Sequence, residues 1–343
     1  MLYDKFYIIQ YGDCLTEEWD RRITPEKGVF HVDLASKVAT QVIVMFLLIA
    51  VGYICDKVGL VTKRGIKQMT DIVLLIVSPA VIIQSYNQEF DPNLAKNLGV
   101  AFLYATIAHA VMILLSRFLF SKKNWGKYNI DRVCSIYTNS GFMGIPLILS
   151  VLGEEGVFYG SAFLALFNIT LWTQGVAAIR GRQKERVKPG AVAKQLLLNP
   201  GVIGIFIGFL IFFTPISLPD PVGQAVGHIA NLNTPLAMII IGTYIARSNI
   251  LQALKEVRIY YTSLIRLIVF PLLMIPMYLL LPSEPLVYLA NFIAMACPAA
   301  AATSMLAAKY GGDAIYASKI IAISTVLSIL TIPLMVIVIG FVL

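Results

Sequence analysis

Charge is scarce in this chain. Asp, Glu, Lys and Arg make up only 13% of its 343 residues, about half the share usual in a soluble domain. Hydrophobic residues reach 58% and the mean hydropathy is +0.78. An excess of that size cannot be hidden in one core, which excludes a soluble enzyme. The net charge of +8 does not indicate a nucleic-acid partner, because the basic residues fall in short loops rather than on one face. Cysteine is sparse as well: Cys14, Cys55, Cys134 and Cys297 form no C-x-x-C pair. That excludes a disulfide scaffold, and the last three read as buried free thiols. Histidine is rarer still, with His31, His109 and His228 on separate segments. There is no H-E-x-x-H and no G-x-S-x-G, so metal ligands and the nucleophile of an intramembrane hydrolase are both missing. The alternation of a membrane β-barrel is absent too.

The first 33 residues hold four basic and seven acidic side chains. They contain no apolar stretch of signal-peptide type and no small-residue cleavage site. We treat 1–33 as a polar extension outside the fold.

What the chain has is apolar runs of spanning length. A bilayer crossing takes about 20 mostly apolar residues. Ten runs qualify, near 34–54, 66–86, 94–120, 130–151, 156–179, 200–214, 222–246, 257–281, 286–308 and 312–342. Backbone amides find no water in hydrocarbon, so the runs should be helical and the fold an all-α polytopic membrane protein. Gly201, Gly204 and Gly208 thin one face of the short sixth run, as close helix packing requires.

Basic residues alternate by loop. The first, third, fifth and seventh loops carry 18 Lys or Arg, while the second, fourth, sixth and eighth carry one, Lys96. The positive-inside rule then puts the odd loops in the cytoplasm and both termini outside the cell membrane. The basic stretch 181–199 divides the chain into 34–180 and 200–343, two halves of five spans. An odd number per half makes the second half enter from the opposite side, an inverted repeat. Ser78-Pro79 and Thr234-Pro235 fall at matching depths in the second and seventh runs. GVFYGS and DAIYAS open the fifth and tenth, placing Tyr159 opposite Tyr316 and Ser161 opposite Ser318.

The fourth and ninth runs match in a more telling way. YTNSGFMGIP (Tyr137–Pro146) interrupts one and ACPAAAATS (Ala296–Ser304) the other. Proline within a helix removes a hydrogen bond and clashes with the preceding turn. At 1.5 Å per residue, Ser140 lies about 15 Å and Pro298 about 18 Å into their runs, near the midplane. Unwound backbone at that depth must be buried or line a wet cavity. Its half-helix ends supply dipoles to a ligand. This makes Asn139, Ser140, Gly141, Gly144, Pro146, Pro298, Thr303 and Ser304 the candidate substrate-binding residues.

TNSGFMGIPLILSVLGEEG resembles the fourth-helix signature of the auxin efflux carrier family, which includes bacterial dicarboxylate permeases and the plant PIN carriers. ACPAAAATSMLAAKYGGDAIYASKIIAISTVLSILTIPL resembles its C-terminal signature. The resemblance covers residues 34–343. It implies ten helices in two inverted five-helix repeats, with broken fourth and ninth helices that cross. It further implies export or exchange of organic anions, such as a dicarboxylate or an auxin-like acid, by an elevator-like motion. Plant members carry an asparagine and a proline matching Asn139 and Pro146, which implies substrate contact by that segment. They tend to have a second proline where Thr303 stands here, so the ligand does not transfer with the motif.

Three charges stand out for their depth inside spans. Arg266 lies about 14 Å deep, Lys319 about 11 Å and Asp71 about 8 Å. Charges at such depth mark functional sites by default. Arg266 and Lys319 are candidate countercharges for a carboxylate, with snorkelling to the headgroups as the competing role. Asp71 either carries a coupling proton or pairs with a basic residue such as Arg266. His109 reads as a hydrogen-bonded helix contact, and Asn168, Asn231, Asn233 and Asn291 as links between helices. No resident cofactor or metal is expected. Proton or sodium coupling and assembly as a homodimer stay open, as do a broken-helix channel and a non-transporting receptor.

Overall fold

A computed structural model describes residues 27–120, 125–181, 197–214, 218–248 and 250–342, with single helical residues at 190 and 194. The polar extension up to residue 26 and most of the basic 181–199 stretch lie outside the described residues. All described regular structure is helical, apart from one isolated bridge.

Helix α1 is Lys27–Lys57, seven residues longer at its start than the apolar run. Then come α2 (Lys63–Tyr86), α3 (Pro92–Leu119) and α4 (Trp125–Ile136). Ser140–Arg180 is one apolar helical stretch, but Gly153 sits in it at φ +73° and ψ −166°. Only glycine adopts that conformation readily. A Cβ on Gly160 would come 2.9 Å from Ile148 Cδ1, so the chain folds back there into α5 (140–152) and α6 (154–180). Next are α7 (Pro200–Phe213), α8 (Asp220–Ala230), α9 (Asn233–Arg247) and α10 (Val257–Leu280). Last are α11 (Pro285–Ala296), α12 (Ala301–Tyr310) and α13 (Ala314–Gly340).

Among the described residues seven helices are long and apolar enough to cross a membrane, and α7 and α11 are shorter apolar helices. Their outward faces carry Leu47, Phe206 and Leu330, each more than half exposed. Bare apolar side chains on so many helices need lipid around them. The protein is a multi-pass membrane protein.

Local sequence sets the helix limits. Thr62, Asp91, Asn199 and Asp313 each accept a backbone N–H in the first turn of the helix they precede, satisfying donors that would otherwise be orphaned. Prolines leave a second mark. Helix α2 passes through a π turn at Val73–Val77 before Pro79, α5 begins with one at Ser140–Gly144 before Pro146, and α10 has one at Ile265–Val269 before Pro271. Each π turn ends two residues ahead of the ring. The wider turn accommodates the missing donor and the clash with the carbonyl one turn back.

The helices sort by their contacts into a panel and a core. Helices α1, α2, α7, α8 and α9 pack mainly on one another, and the rest mainly on one another. Panel contacts are close. A Cβ on Gly52 would lie 2.1 Å from the Ile239 carbonyl oxygen, and one on Gly242 2.0 Å from that of Ile49. Gly204 meets Pro79 and Gly208 meets the Tyr86 ring. The panel touches the core chiefly where α1 meets α13 and where α2 meets α5 and α6. Tyr86 and Ser161 share a hydrogen bond there at 2.7 Å, and Gln84 donates to Glu154.

Candidate transport site

Two short non-helical stretches meet inside the core. One is Tyr137–Asn139, between α4 and α5; the other is Cys297–Ala300, between α11 and α12. They run antiparallel. Asn139 N donates to Pro298 O at 2.7 Å, Ala300 N donates to Tyr137 O at 2.9 Å, and Thr138 pairs with Ala299. A further donor, Ala299 N, reaches Ser324 Oγ on α13 at 3.2 Å. Backbone that left its helices thus finds partners across the crossing, as buried polar groups must. Thr138 Oγ1 and Ser140 Oγ are buried here without any partner.

Cavities flank the crossing on two sides, both between panel and core. One, of about 330 Å³, is bounded by α2, α5, α6, α7 and α12, with Asn139, Phe142, Asn168, Trp172, Asn199 and Lys309 among its lining. The other, of about 170 Å³, lies between α9, α12 and α13, and Asn139, Arg247, Ser304, Ser318 and Thr325 contribute to it. Asn139 and Met305 belong to both. Lys309 lies 5.9 Å from the Trp172 ring centre and forms no ion pair among the described residues. Arg247 is already paired with Asp56 at 2.6 Å. The arrangement offers an apolar chamber, one amide shared by both sides, and a cation at the edge.

The candidate residues distribute unevenly over this geometry. Asn139 and Gly141 line the larger cavity, and Ser304 the smaller. Ser140 and Pro298 lie in the crossing itself or next to it. At Gly144 a Cβ would come 3.5 Å from Cys297 Sγ and 3.6 Å from Ala294 Cα, ordinary contact distances, so α5 packs on α11 here without requiring the side chain to be absent. Pro146 belongs to the first turn of ordinary α-helix after the π turn. It does not break the chain; the unwound residues end seven positions earlier, at Asn139. Thr303 turns to α4, bonding Cys134 Sγ at 3.5 Å and Ala300 O at 2.6 Å, and is not in either cavity lining.

The charges resolve differently from the expectation. Asp71 is exposed and has no partner among the described residues. It does not pair with Arg266, because its helix face turns away from the core. Arg266 is fully buried and donates to three backbone carbonyls, those of Ser135, Ile136 and Met295. Lys319 reaches Glu256 at 2.6 Å, and Lys127 reaches the same carboxylate at 3.0 Å. Both lysines hold the Glu256 carboxyl below its ordinary pKa, Lys319 more strongly.

The other polar side chains are as follows. His109 Nδ1 lies 2.8 Å from Ala105 O, a contact within its own helix. Asn168 accepts from Asn199 at 3.1 Å and links α6 to the α7 cap. Among the described residues Asn291 bonds only within α11, the Asn233 side chain has no partner, and Asn231 is exposed, so these three do not link helices there. Cys134 and Cys297 are buried free thiols, whereas Cys55 is half-buried.

One buried carboxylate was missed. Asp131 on α4 is 0% exposed. It accepts from Arg258 and Thr262 on α10, the latter at 2.9 Å, and from Tyr316 on α13 at 2.8 Å. An acid at the start of the fourth run was its only sequence signal. Lys309 and Arg247 escaped because they stand at run ends, where basic residues are ordinary.

The family profile of membrane transport proteins matches residues 37–336. An uncharacterized transporter of Methanothermobacter thermautotrophicus is 23% identical over 303 residues, 85% of this chain and 95% of its own. One from Methanocaldococcus jannaschii is 24% identical over 306 residues, covering 85% and 96%. A Rhizobium meliloti protein named "Putative malonate transporter" is 21% identical over 313 residues, covering 87% and 94%. With a profile match across most of its length, the chain belongs to the membrane transport protein family of auxin efflux carrier-like transporters.

Proposed function

We propose that this protein is a secondary carrier of a small organic anion that works by elevator-like alternating access. The observation that carries the reading is the crossing at Thr138 and Ala299, flanked by cavities that lie between panel and core. First-turn N–H groups of α5 and α12 border those cavities, and such groups attract carboxylates. A core that slides along the panel would carry the crossing, with its ligand, from one membrane face to the other. The name of the Rhizobium meliloti relative includes malonate, which supports a carboxylate here.

In the same proposal the chain makes ten crossings. Helices α4 with α5, α8 with α9, and α11 with α12 each act as one interrupted span, and residues 34–180 and 200–343 form inverted repeats. The 18 basic residues of the odd loops support cytoplasmic placement of those loops, with both termini outside. A proton or sodium gradient would drive the cycle.

Counterflow in proteoliposomes tests the function. Vesicles loaded with unlabelled malonate or phenylacetate should accumulate the labelled acid transiently and saturably. Linear, non-saturating flux without counterflow would indicate a channel and defeat the proposal. Repeating the assay with an imposed pH or sodium gradient identifies the coupling ion. For topology, an impermeant thiol reagent should label a cysteine placed at Glu154 and spare one at Lys184; the opposite pattern would reverse the orientation.

A further inference from the structure

Arg266 is the largest fully buried side chain among the described residues. Its Nη1 donates to Ser135 O at 2.7 Å and Ile136 O at 3.0 Å, and touches Met112 Sδ at 3.5 Å. Its Nη2 donates to Met295 O. The guanidinium lies 5.7 Å from the Phe270 ring centre. No carboxylate stands within ion-pair distance among the described residues. Ser135 and Ile136 are the last residues of α4, and Met295 is the last but one of α11. A single cation therefore takes the terminal carbonyls of both helices that stop at the crossing.

Four helix ends meet at this point. Two are C-termini, each worth about −0.5 of a charge, and two are N-termini, each worth about +0.5. Left alone, the four nearly cancel, and the crossing would have no preference for an anion. Arg266 adds a full positive charge on the C-terminal side. The N-terminal side, where Gly141, Phe142, Ala301 and Ala302 line the cavities, is then net positive by about one charge. The planar fork suits this placement, since one guanidinium can reach carbonyls on two helices where an ammonium offers a single nitrogen.

We propose that Arg266 is a positioning residue that sets the charge of the crossing. It neutralises the two helix C-termini from behind, so that the cavity side accepts one carboxylate which Arg266 itself never touches. The inference rests on the anion-carrier reading and differs from a direct countercharge, because Arg266 lines neither cavity.

The test compares phenylacetate with its neutral amide, phenylacetamide, on the purified full-length protein. Removing a unit charge roughly 8 Å from the carboxylate, at an effective dielectric constant near 20, weakens acid binding about 30-fold. In Arg266→Ala the acid should lose that factor while the amide keeps its affinity. Guanidinium ion at tens of millimolar should restore acid binding, and sodium at the same concentration should not. Equal loss of acid and amide would reduce Arg266 to a structural role and overturn the proposal, as would an unchanged acid preference. If Arg266→Ala cannot be purified, Arg266→Lys decides. It keeps the charge but loses the fork, so the amide should bind as in the wild type and the acid preference should stay largely intact; a lost preference, or an equal loss for both probes, overturns the proposal. Wild-type protein that binds neither malonate nor phenylacetate defeats the carrier reading instead. The clamp then stands or falls on whether guanidinium raises the melting temperature of Arg266→Ala.

Discussion

Asn139 and Pro298 are joined backbone to backbone, the amide of the first donating to the carbonyl of the second at 2.7 Å. The bond fixes the main chain of Asn139 and leaves its side chain to face both cavities. In the proposed carrier, scaffold and recognition would thus be divided within one residue.

Replacing that side chain should change binding and little else. Asn139→Ala is expected to weaken carboxylate binding by about 1.5–3 kcal/mol, the range for a hydrogen bond to a charged group. Asn139→Asp should abolish it, because a second anion stands where the first must bind. Titration calorimetry checks both, with melting temperatures near the wild-type value as the control. Tighter carboxylate binding by Asn139→Asp would place the ligand elsewhere.

The two prolines should behave differently. Pro146 follows the π turn of α5, so Pro146→Ala returns a donor to the helix and lets Ser140–Gly144 relax toward α geometry. We expect an equal or higher melting temperature with weakened binding, since the turn next to Asn139 changes register. Pro298→Ala frees φ in the crossing and adds a buried N–H. It should lower stability by about 1–3 kcal/mol, the cost of an unsatisfied buried donor. Denaturant or thermal melts in detergent rank the pair, and the reverse order would refute this account.

Asp131 ties α4 to α10 and α13 through Arg258, Thr262 and Tyr316. Asp131→Asn should cost about 2–3 kcal/mol, below the full penalty for a broken buried pair because Arg258 remains partly exposed. Adding Arg258→Met should return much of that loss, as measured by a double-mutant cycle on thermal stability. Strict additivity would mean that the pair does not act as a unit.

Glu256 bridges Lys319 and Lys127, and its carboxyl titrates below the ordinary value in the folded protein. The sign follows from linkage. Its contribution is complete above the ordinary carboxyl pKa and disappears as pH falls through the folded value. Partly exposed pairs contribute about 1 kcal/mol or less. Glu256→Gln should therefore melt slightly below wild type at neutral pH, and the gap should close in acid below pH 4, roughly the carboxyl range. A gap that widened in acid would contradict the assignment.

The apolar segments were legible because lipid selects on composition alone, and each run needed only length and hydropathy to be found. The interruption near Asn139 was legible from its cluster of helix-disfavouring residues, yet its cause was misplaced. Pro146 draws attention, but a π turn absorbs it, and the chain unwinds where Asn139 and Pro298 can satisfy each other. Arg266 could be placed by depth but not by partner, since backbone carbonyls occur at every position and leave no trace in side-chain identity. Asp71 was misjudged although the periodicity was there to read: Lys63, Lys67 and Asp71 recur every four residues on one exposed face of the start of α2, away from the buried Ile66 and Thr70. The Asp131–Arg258 pair spans 127 positions, and nothing local connects its members.

Gly52 and Gly242 have a consequence for motion. Where two backbones touch with no side chains between them, there are no rotamers to repack and no slack to take up. The seam between α1 and α9 is therefore stiff, like a keel. A conformational cycle would be accommodated along surfaces where side chains mediate contact, chiefly α13 against α1 and α6 against α2. Slow amide exchange should accordingly persist around Ile49 and Ile239 while neighbouring panel–core surfaces exchange.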